Sequence, residues 1–171
     1  DFKKIVAYST CSQLGYMFIA VGLGFYSSGL FHVFTHAFFK AMLFMGAGGV
    51  IIALHHEQNI FNIAKHRAIL PIISATFLIG VIAISGIPPF SGFFSKDAIL
   101  AAAFQEGHYL IYGIALFTAF LTAFYMFRLY FVVFVTPNHH KKEYVYTSKT
   151  ITFPLVVLAV GAVTAGFLNL P

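Results

Sequence analysis

Long apolar runs dominate this sequence and limit the folds that are open to it. A helix needs about 20 mostly apolar residues to cross the hydrocarbon core of a bilayer, where backbone polar groups must pair internally. Several runs in the chain reach that length. Only 9% of the residues are charged and the mean hydropathy is +0.88, whereas about 25% of residues are charged in a soluble domain. We therefore expect an all-α polytopic membrane protein.

Five membrane spans follow from these runs, and the third is interrupted. The apolar region from Leu70 to Phe104 contains SGIPPFSG at residues 85 to 92. Adjacent prolines cannot donate backbone hydrogen bonds and glycines permit dihedral angles that end a helix, so we expect a break between Gly86 and Gly92. The chain is then one transmembrane domain, residues 1–171, with spans at Ile5 to Phe25, Ser28 to Leu54, Leu70 to Ser85 plus Gly92 to Phe104 as one broken span, Tyr109 to Val135, and Ile151 to Leu170.

Basic residues in the connecting loops predict the orientation of these spans. With five spans, the N-terminus and the loops 55–69 and 136–150 share one side of the membrane. That side holds Lys3, Lys4, Lys65, Arg67, Lys141, Lys142 and Lys149. Positive charge favours the cytoplasmic side, so we expect the N-terminus in the cytoplasm or matrix and the C-terminus opposite. Because the chain begins with Asp1 and not with methionine, we also expect it to be a piece of a longer polypeptide.

Several classes of function are disfavoured by composition and spacing. The single cysteine, Cys11, excludes an intramolecular disulfide and a cysteine-built metal cluster. The net charge of +5 comes from residues in short loops, which membrane topology explains better than nucleic-acid binding does. HHEQ at residues 55 to 58 lacks H-E-x-x-H spacing, so we interpret it as a solvated loop. We expect no cofactor, because nothing resembles a nucleotide, flavin or cluster site.

Lys40 has no short route to water. It lies at least 12 residues from either end of its span, which corresponds to roughly 18 Å of helix on each side. An ion at that depth costs from about 3 to more than 10 kcal/mol, so the side chain must face protein or water. Arg128, by contrast, comes near the end of its span, from which its side chain can reach the headgroups.

Two histidines lie in register with Lys40. His32, His36 and Lys40 recur every four residues and therefore form a ladder on one helix face. Rungs about 6 Å apart, each able to bind and release a proton, are what a proton relay requires. Thr35 borders this face and could orient a water molecule. Histidines that serve only packing are the alternative, and a metal site is weaker because no third histidine or carboxylate lies in register.

A second charged pair, Lys96 and Asp97, follows the break. Adjacent residues of a helix point about 100° apart, so Lys96 and Asp97 need not pair with each other, and Asp97 could instead hold a lysine of a neighbouring helix. The alternative is that both residues cap the second half-helix at a water surface.

Polar faces on two other spans complete the pattern. Their residues follow helical spacing, and together with the lysines and histidines they outline a hydrated seam through the bundle. Interhelical hydrogen bonding is the alternative for each face taken alone. The residues are Ser9, Ser12, Gln13 and Tyr16 in the first span, and Thr118, Thr122 and Tyr125 in the fourth.

Four motifs in this order resemble a known family. DFKKIVAYSTCSQLGYMF, HAFFKAMLFMGAG, HHEQNIF and GIPPFSGFFSKDAIL are similar to motifs of the largest antiporter-like membrane subunits of respiratory complex I, the proton-pumping NADH:quinone oxidoreductase. Mrp-type sodium/proton antiporter subunits and subunits of energy-converting hydrogenases are related. The resemblance covers essentially the whole chain. It implies two inverted five-helix repeats, of which this chain holds mainly the second and one following helix.

The resemblance also implies roles for individual residues. Lys40 corresponds to the lysine of the central hydrophilic axis, and His32 and His36 to its histidines. Lys96 with Asp97 corresponds to the pair at the broken helix that leads to the outlet. Lys3 corresponds to a further implicated lysine, while Ser12, Gln13, Thr35 and Thr122 are expected to line the path.

The implied function is proton translocation across a bacterial inner membrane or the equivalent organelle membrane. Redox chemistry would occur in other subunits, so the partners are membrane subunits of complex I, lipid, water and protons. Two alternatives remain open at this point. One is a cation/proton antiporter subunit of the Mrp type, and the other is a structural or assembly subunit whose buried charges hold helices together.

Overall fold

The computed structural model describes residues 1–66, 68–136, 143–144 and 148–169. The expectation of an all-helical chain is confirmed, apart from two strands of two residues each. The elements are α1 (Phe2–Gly22), α2 (Tyr26–Ala53), α3 (Ile60–His66), β1 (Ala68–Ile69), α4 (Pro71–Ser85), α5 (Ser91–Gln105), α6 (Tyr109–Tyr130) with a π-helical turn (Phe131–Val135), β2 (Glu143–Tyr144), and α7 (Lys149–Thr164) with a 3-10 turn (Ala165–Asn169).

Four helices in the described part of the chain are long and apolar enough to cross a membrane. They are Phe2–Gly22, Tyr26–Ala53, Tyr109–Val135 and Lys149–Leu168. The expected third span is divided between α4 and α5, which have 15 residues each. A helix of that length measures roughly 22 Å, less than a hydrocarbon core of about 30 Å. The count of five spans with a broken third therefore stays a prediction.

The helix ends follow from local chemistry. Helix α1 begins earlier than expected because the Asp1 carboxylate accepts a hydrogen bond from the Lys4 backbone N–H at 2.9 Å and caps the helix. Pro71 occupies the first turn of α4, where its missing N–H costs nothing. Gly86 then ends α4 with a φ of +76°, a conformation that favours glycine. The interruption thus begins where the sequence predicts it.

The two helices at the interruption lie side by side. Gly92 in the first turn of α5 packs so closely against the last turn of α4 that a Cβ there would overlap the carbonyl oxygen of Ala83. A Cβ on Gly86 would lie 3.4 Å from the Lys96 side chain. The start of α5 therefore overlaps the end of α4, and the two helices together are shorter than the sum of their lengths.

The start of α1 and two long connections meet at one end of the bundle, which we call the basal end. The Phe2 backbone N–H donates to the Gln58 carbonyl at 2.9 Å. β1 and β2 pair in parallel, with Ala68 opposite Glu143. The N-terminus and both long connections were predicted to lie on one side of the membrane, and their meeting at the basal end agrees with that. Which side of a membrane the basal end faces stays a prediction. Of the basic residues used for that prediction, Arg67, Lys141, Lys142 and the side chain of Lys65 lie outside the described residues.

Helix α3 was not anticipated, since the connection 55–69 was expected to be a loop. The Asn59 side-chain oxygen accepts from the Phe61 backbone N–H at 3.0 Å and helps to start the helix. Ile60 and Ile63, three residues apart, are both buried. A short amphipathic turn of this kind gives too weak an apolar period to stand out beside the long apolar runs.

Helix α2 lies at the centre of the bundle. It contacts α1, α4, α5 and α7. Phe39, Met42 and Leu43 on α2 are fully buried in the main core together with Phe77 of α4. Large apolar side chains on the outer helices, such as Phe120 and Phe124 of α6, are exposed and suit contact with lipid. Lys40, on α2, is thus surrounded by protein.

The close approach at the interruption gives a prediction for Gly92→Ala. Because the new methyl group would meet a backbone oxygen, it cannot be accommodated by side-chain rotation. We expect a loss of at least about 1–3 kcal/mol in the free energy of unfolding, or failure to accumulate. Gly113→Ala on α6 is the control, since a Cβ there meets open space. Thermal unfolding in detergent measures both, and equal midpoints would contradict the overlap of α4 and α5.

Candidate functional site

A group of buried polar side chains lies between α1, α2, α5 and α6, and we call it the polar interior. Each member is at most 5% exposed although the surrounding sequence is apolar. Buried polar groups are costly unless they are bonded, so their partners indicate what the arrangement can do. The members are Ser9, Gln13, Tyr16, His32, Thr35, Lys40, Ser91, Ser95, Lys96 and Thr122.

Lys40 is bonded to α1 by neutral acceptors. Its Nζ donates to the Val6 carbonyl at 2.7 Å and also to the Ser9 hydroxyl. The Ser9 hydroxyl in turn donates to the same Val6 carbonyl at 2.8 Å. At 5% exposure the side chain faces protein, as its depth in the span predicts.

Lys96 is bonded to the end of α4. Its Nζ donates to the Ile84 carbonyl at 2.5 Å and lies 5.1 Å from the centroid of the Tyr16 ring. Ile84 is in the last turn of α4, where carbonyls lack an N–H donor from a following turn and carry the partial negative charge of the helix end. The interruption therefore creates the acceptor that Lys96 uses.

The two histidines of the ladder, His32 and His36, which we call the histidine ladder, lie between the surroundings of Lys40 and those of Lys96. The ring centroids of His32 and His36 are 6.2 Å apart, in agreement with the predicted spacing of one turn. The His32 ring also lies 6.1 Å from the Tyr16 ring, and Lys96 contacts the same Tyr16 ring. His36 is half-buried and packs edge-on against Phe39 at 5.4 Å.

Several buried polar atoms near the ladder have no hydrogen-bond partner within the described residues. Native proteins rarely leave such atoms unbonded, and ordered water is their usual partner when no protein group is available. Their concentration near the two lysines indicates an interior suited to water. The atoms are Ser12 Oγ, both amide atoms of Gln13, Nε2 of His32, Nε2 of His36, Ser91 Oγ and the Tyr125 hydroxyl.

Two of the charged residues expected in the relay lie apart from the polar interior. Asp97 is exposed on a different face of α5 from Lys96, and Lys3 is exposed at the basal end. Within the described part of the chain neither residue forms an ion pair, so the expectation that Asp97 holds a lysine of a neighbouring helix finds no support there. Asp97 points outward because it is next to Lys96 in sequence, and Lys96 is turned inward.

The expected lining residues behave differently from one another. Thr35 donates to the Ser95 hydroxyl at 2.9 Å, whereas the buried Thr122 donates to the Thr118 carbonyl of its own helix at 2.8 Å. Ser12 lines a cavity of about 330 Å³ beside Ser9, Tyr125 and Arg128. Arg128 is exposed, as its position near the end of the span predicts.

Ser91 and Ser95 are not among the residues that the sequence pattern predicts for the site. They are four residues apart on α5, just before Lys96, and both are fully buried. Their spacing of one turn in FSGFFSKD is a signal that could have been used. The carbonyls of Val6 and Ile84, which accept from the two lysines, leave no side-chain signal at all.

Comparison with known proteins decides the family. Residues 1–122 match the family described as "NADH:quinone oxidoreductase/Mrp antiporter, TM". The chain belongs to this family. Among curated relatives of the family, it is 46% identical over 181 residues to NADH-quinone oxidoreductase subunit L of Rhodobacter capsulatus, covering 97% of this chain. It is 44% identical over 176 residues to NADH-quinone oxidoreductase subunit L of Escherichia coli, covering 100% of this chain.

The chain covers only part of its relatives, and its fold matches a solved structure. The chain spans 25% of the length of the Rhodobacter capsulatus relative and 28% of that from Escherichia coli. A solved structure of an Mrp complex from Dietzia sp. superposes with a TM-score of 0.86 over 98% of this chain and 40% of that chain, at 20% identity. At that identity the likeness shows the fold alone, which this chain shares with that structure.

Tyr16 gives a prediction that separates the roles of its hydroxyl and its ring. The hydroxyl donates to the Ala115 carbonyl of α6 at 2.6 Å, while the ring faces Lys96. We expect Tyr16→Phe to cost about 1 kcal/mol through the lost hydrogen bond, and Tyr16→Leu to cost about 1–2 kcal/mol more through the lost cation–π contact. The midpoint of thermal unfolding in detergent measures both. The exposed Tyr8→Phe is the control, and equal effects of the two Tyr16 variants would contradict the assignment.

Proposed function

We propose that this chain translocates protons across an energy-transducing membrane as part of an NADH:quinone oxidoreductase. Lys40, His36, His32 and Lys96 form the path together with water bound in the polar interior. One observation carries the proposal. Two buried lysines flank a histidine ladder, and within the described residues both donate only to neutral acceptors.

Neutral acceptors suit a lysine that must gain and lose a proton. When a buried ion pair loses one charge, the other is left uncompensated at a cost of about 3–5 kcal/mol. Lys40 and Lys96 bond carbonyls and a hydroxyl instead. A neutral amine can still donate to these groups, so discharge of either lysine leaves no buried carboxylate without its partner. The arrangement therefore supports transfer over a purely structural role.

The interruption between α4 and α5 forms part of the proposed mechanism. We propose that the two helices cross the membrane together as one broken third span, giving five spans in total. Backbone polar groups at membrane depth are tolerated where protein covers them or water reaches them. Here Lys96 bonds one of the freed carbonyls, so that movement of its proton is linked to the conformation of the break.

The surroundings of the chain follow from the same proposal. Redox catalysis and cofactors belong to other subunits, and the other membrane subunits are the partners. We propose a bacterial inner membrane or the equivalent organelle membrane, with the basal end facing the cytoplasm or matrix, in accord with the basic residues of that end. Lys3 and Asp97 face outward and would exchange protons with adjoining segments or subunits.

The test is to replace each lysine by methionine in the assembled complex. We expect Lys40→Met and Lys96→Met to reduce NADH-driven proton pumping in membrane vesicles by at least roughly tenfold, since a positioned proton-transfer group typically contributes 100-fold or more. Lys4→Met is the matched control, because Lys4 is exposed beside Lys3 and outside the polar interior.

The amount of assembled complex separates transfer from structure. Pumping per assembled complex that equals the wild-type value in both variants would refute the proposed path. Loss of the complex itself would instead favour the structural alternative, in which the lysines hold the helices together.

A sodium/proton antiporter subunit is the second candidate. The family includes Mrp antiporters, and the fold matches a structure from an Mrp complex. The composition of the polar interior supports transport of protons rather than sodium. It contains amines and an imidazole, and in the described part of the chain it contains no carboxylate. Pumping that depends on sodium concentration at fixed pH would favour the antiporter.

A further inference from the structure

Ser95 connects the helix after the interruption to the histidine ladder. Its side chain is fully buried and its Oγ lies 2.8 Å from His32 Nδ1. The same oxygen lies 2.9 Å from the Thr35 hydroxyl, 3.3 Å from the Ser91 carbonyl and 3.5 Å from the Gly92 carbonyl. Two side chains and two carbonyls thus converge on one hydroxyl, which has two lone pairs and a single hydrogen.

Counting hydrogens distinguishes two arrangements. In the first, Thr35 donates to Ser95 and Ser95 donates to His32 Nδ1, which leaves the Ser91 contact unused and puts the imidazole proton on Nε2. In the second, Thr35 and His32 Nδ1–H both donate to Ser95, and Ser95 donates to the Ser91 carbonyl. The second arrangement makes three hydrogen bonds and the first makes two, so the second is favoured, and Ser91 is the nearer of the two carbonyls. The Thr35 hydroxyl also lies 3.2 Å from the His32 carbonyl, but its contact with Ser95 is shorter.

The favoured arrangement leaves one ring nitrogen free. With its proton on Nδ1, a neutral His32 has a lone pair on Nε2, and Nε2 is buried without a partner among the described residues. A proton that arrives at Nε2 produces an imidazolium whose Nδ1–H bond to Ser95 is unchanged. His32 can then release the same proton from Nε2. The other tautomer already has a hydrogen on Nε2 and cannot accept there.

We propose that Ser95 is a positioning residue that holds His32 in the tautomer protonated on Nδ1, with Thr35 orienting the Ser95 hydroxyl toward the Ser91 carbonyl. The inference rests on the proposed function, since it assigns Nε2 as the atom through which His32 exchanges protons. It also gives the interruption a second link to the path. Ser95 precedes Lys96 on α5, so a shift of α5 changes the Lys96 bond to α4 and the tautomer of His32 together.

The experiment uses the full-length protein in its assembled complex. Ser95→Ala removes the acceptor, and Ser95→Thr keeps it. Proton pumping in vesicles is divided by the amount of complex on native gels. We expect Ser95→Ala to pump roughly two- to tenfold more slowly per complex, which corresponds to the loss of about one hydrogen bond, and Ser95→Thr to recover most of the rate.

A second set of variants keeps the test decisive if Ser95→Ala or Ser95→Thr fails to assemble. Thr35→Val removes the orienting hydroxyl with little change of shape, and Thr35→Ser retains it. Thr76→Val is the matched control, because within the described residues the buried Thr76 hydroxyl bonds carbonyls of its own helix, at 2.9 and 3.2 Å. We expect Thr35→Val to pump more slowly, and Thr35→Ser and Thr76→Val to pump at the wild-type rate.

The outcomes separate this inference from the proposed function. If Ser95→Ala, or Thr35→Val in its place, pumps at the wild-type rate while Lys40→Met and Lys96→Met do not, the role of Ser95 is wrong and the proton path stands. If the lysine variants also pump at the wild-type rate, the proposed function is wrong. Slow pumping in Ser95→Ala without recovery in Ser95→Thr, at equal assembly, would likewise overturn the assignment to the hydroxyl.

Discussion

A helix that ends inside an apolar region leaves carbonyl groups that need donors, and the rest of the polar interior depends on how this chain supplies one. Gly86 ends α4 at the SGIPPFSG sequence, and Lys96 of α5 donates to the Ile84 carbonyl. That bond joins the two helices where Gly92 packs against Ala83. In the same rotation of α5, Ser95 contacts His32 and Asp97 lies on the outside.

The second buried lysine follows the same principle on a different helix. Lys40 donates to a carbonyl and a hydroxyl of α1, so that neither lysine relies on a carboxylate within the described residues. An ion pair in a low-dielectric interior fixes both charges, because the loss of either one is costly. Carbonyl and hydroxyl acceptors keep the amine bonded in either protonation state. This chain thus holds two buried amines in an apolar bundle without pairing either of them with a carboxylate of the described residues.

The sequence predicts those features that depend on one helix at a time. The interruption follows from prolines and glycines, and the His32, His36 and Lys40 ladder follows from a spacing of four residues. The features that depend on two helices were missed, because helical phase does not determine how neighbouring helices are rotated. The contact between Ser95 and His32 was missed for this reason, and no lysine partner for Asp97 is found within the described residues. The Val6 and Ile84 acceptors are backbone atoms, which no side-chain pattern can indicate.

The claim that the polar interior holds a hydrated path between Lys40 and Lys96 can be tested by direct imaging of water. A cryo-EM map of the assembled complex, at a resolution that shows ordered water, would locate solvent near the ladder. The account predicts water within hydrogen-bonding distance of Nε2 of both His32 and His36 and of the Gln13 amide. Apolar side chains packed against these atoms, with no water between the two lysines, would contradict it.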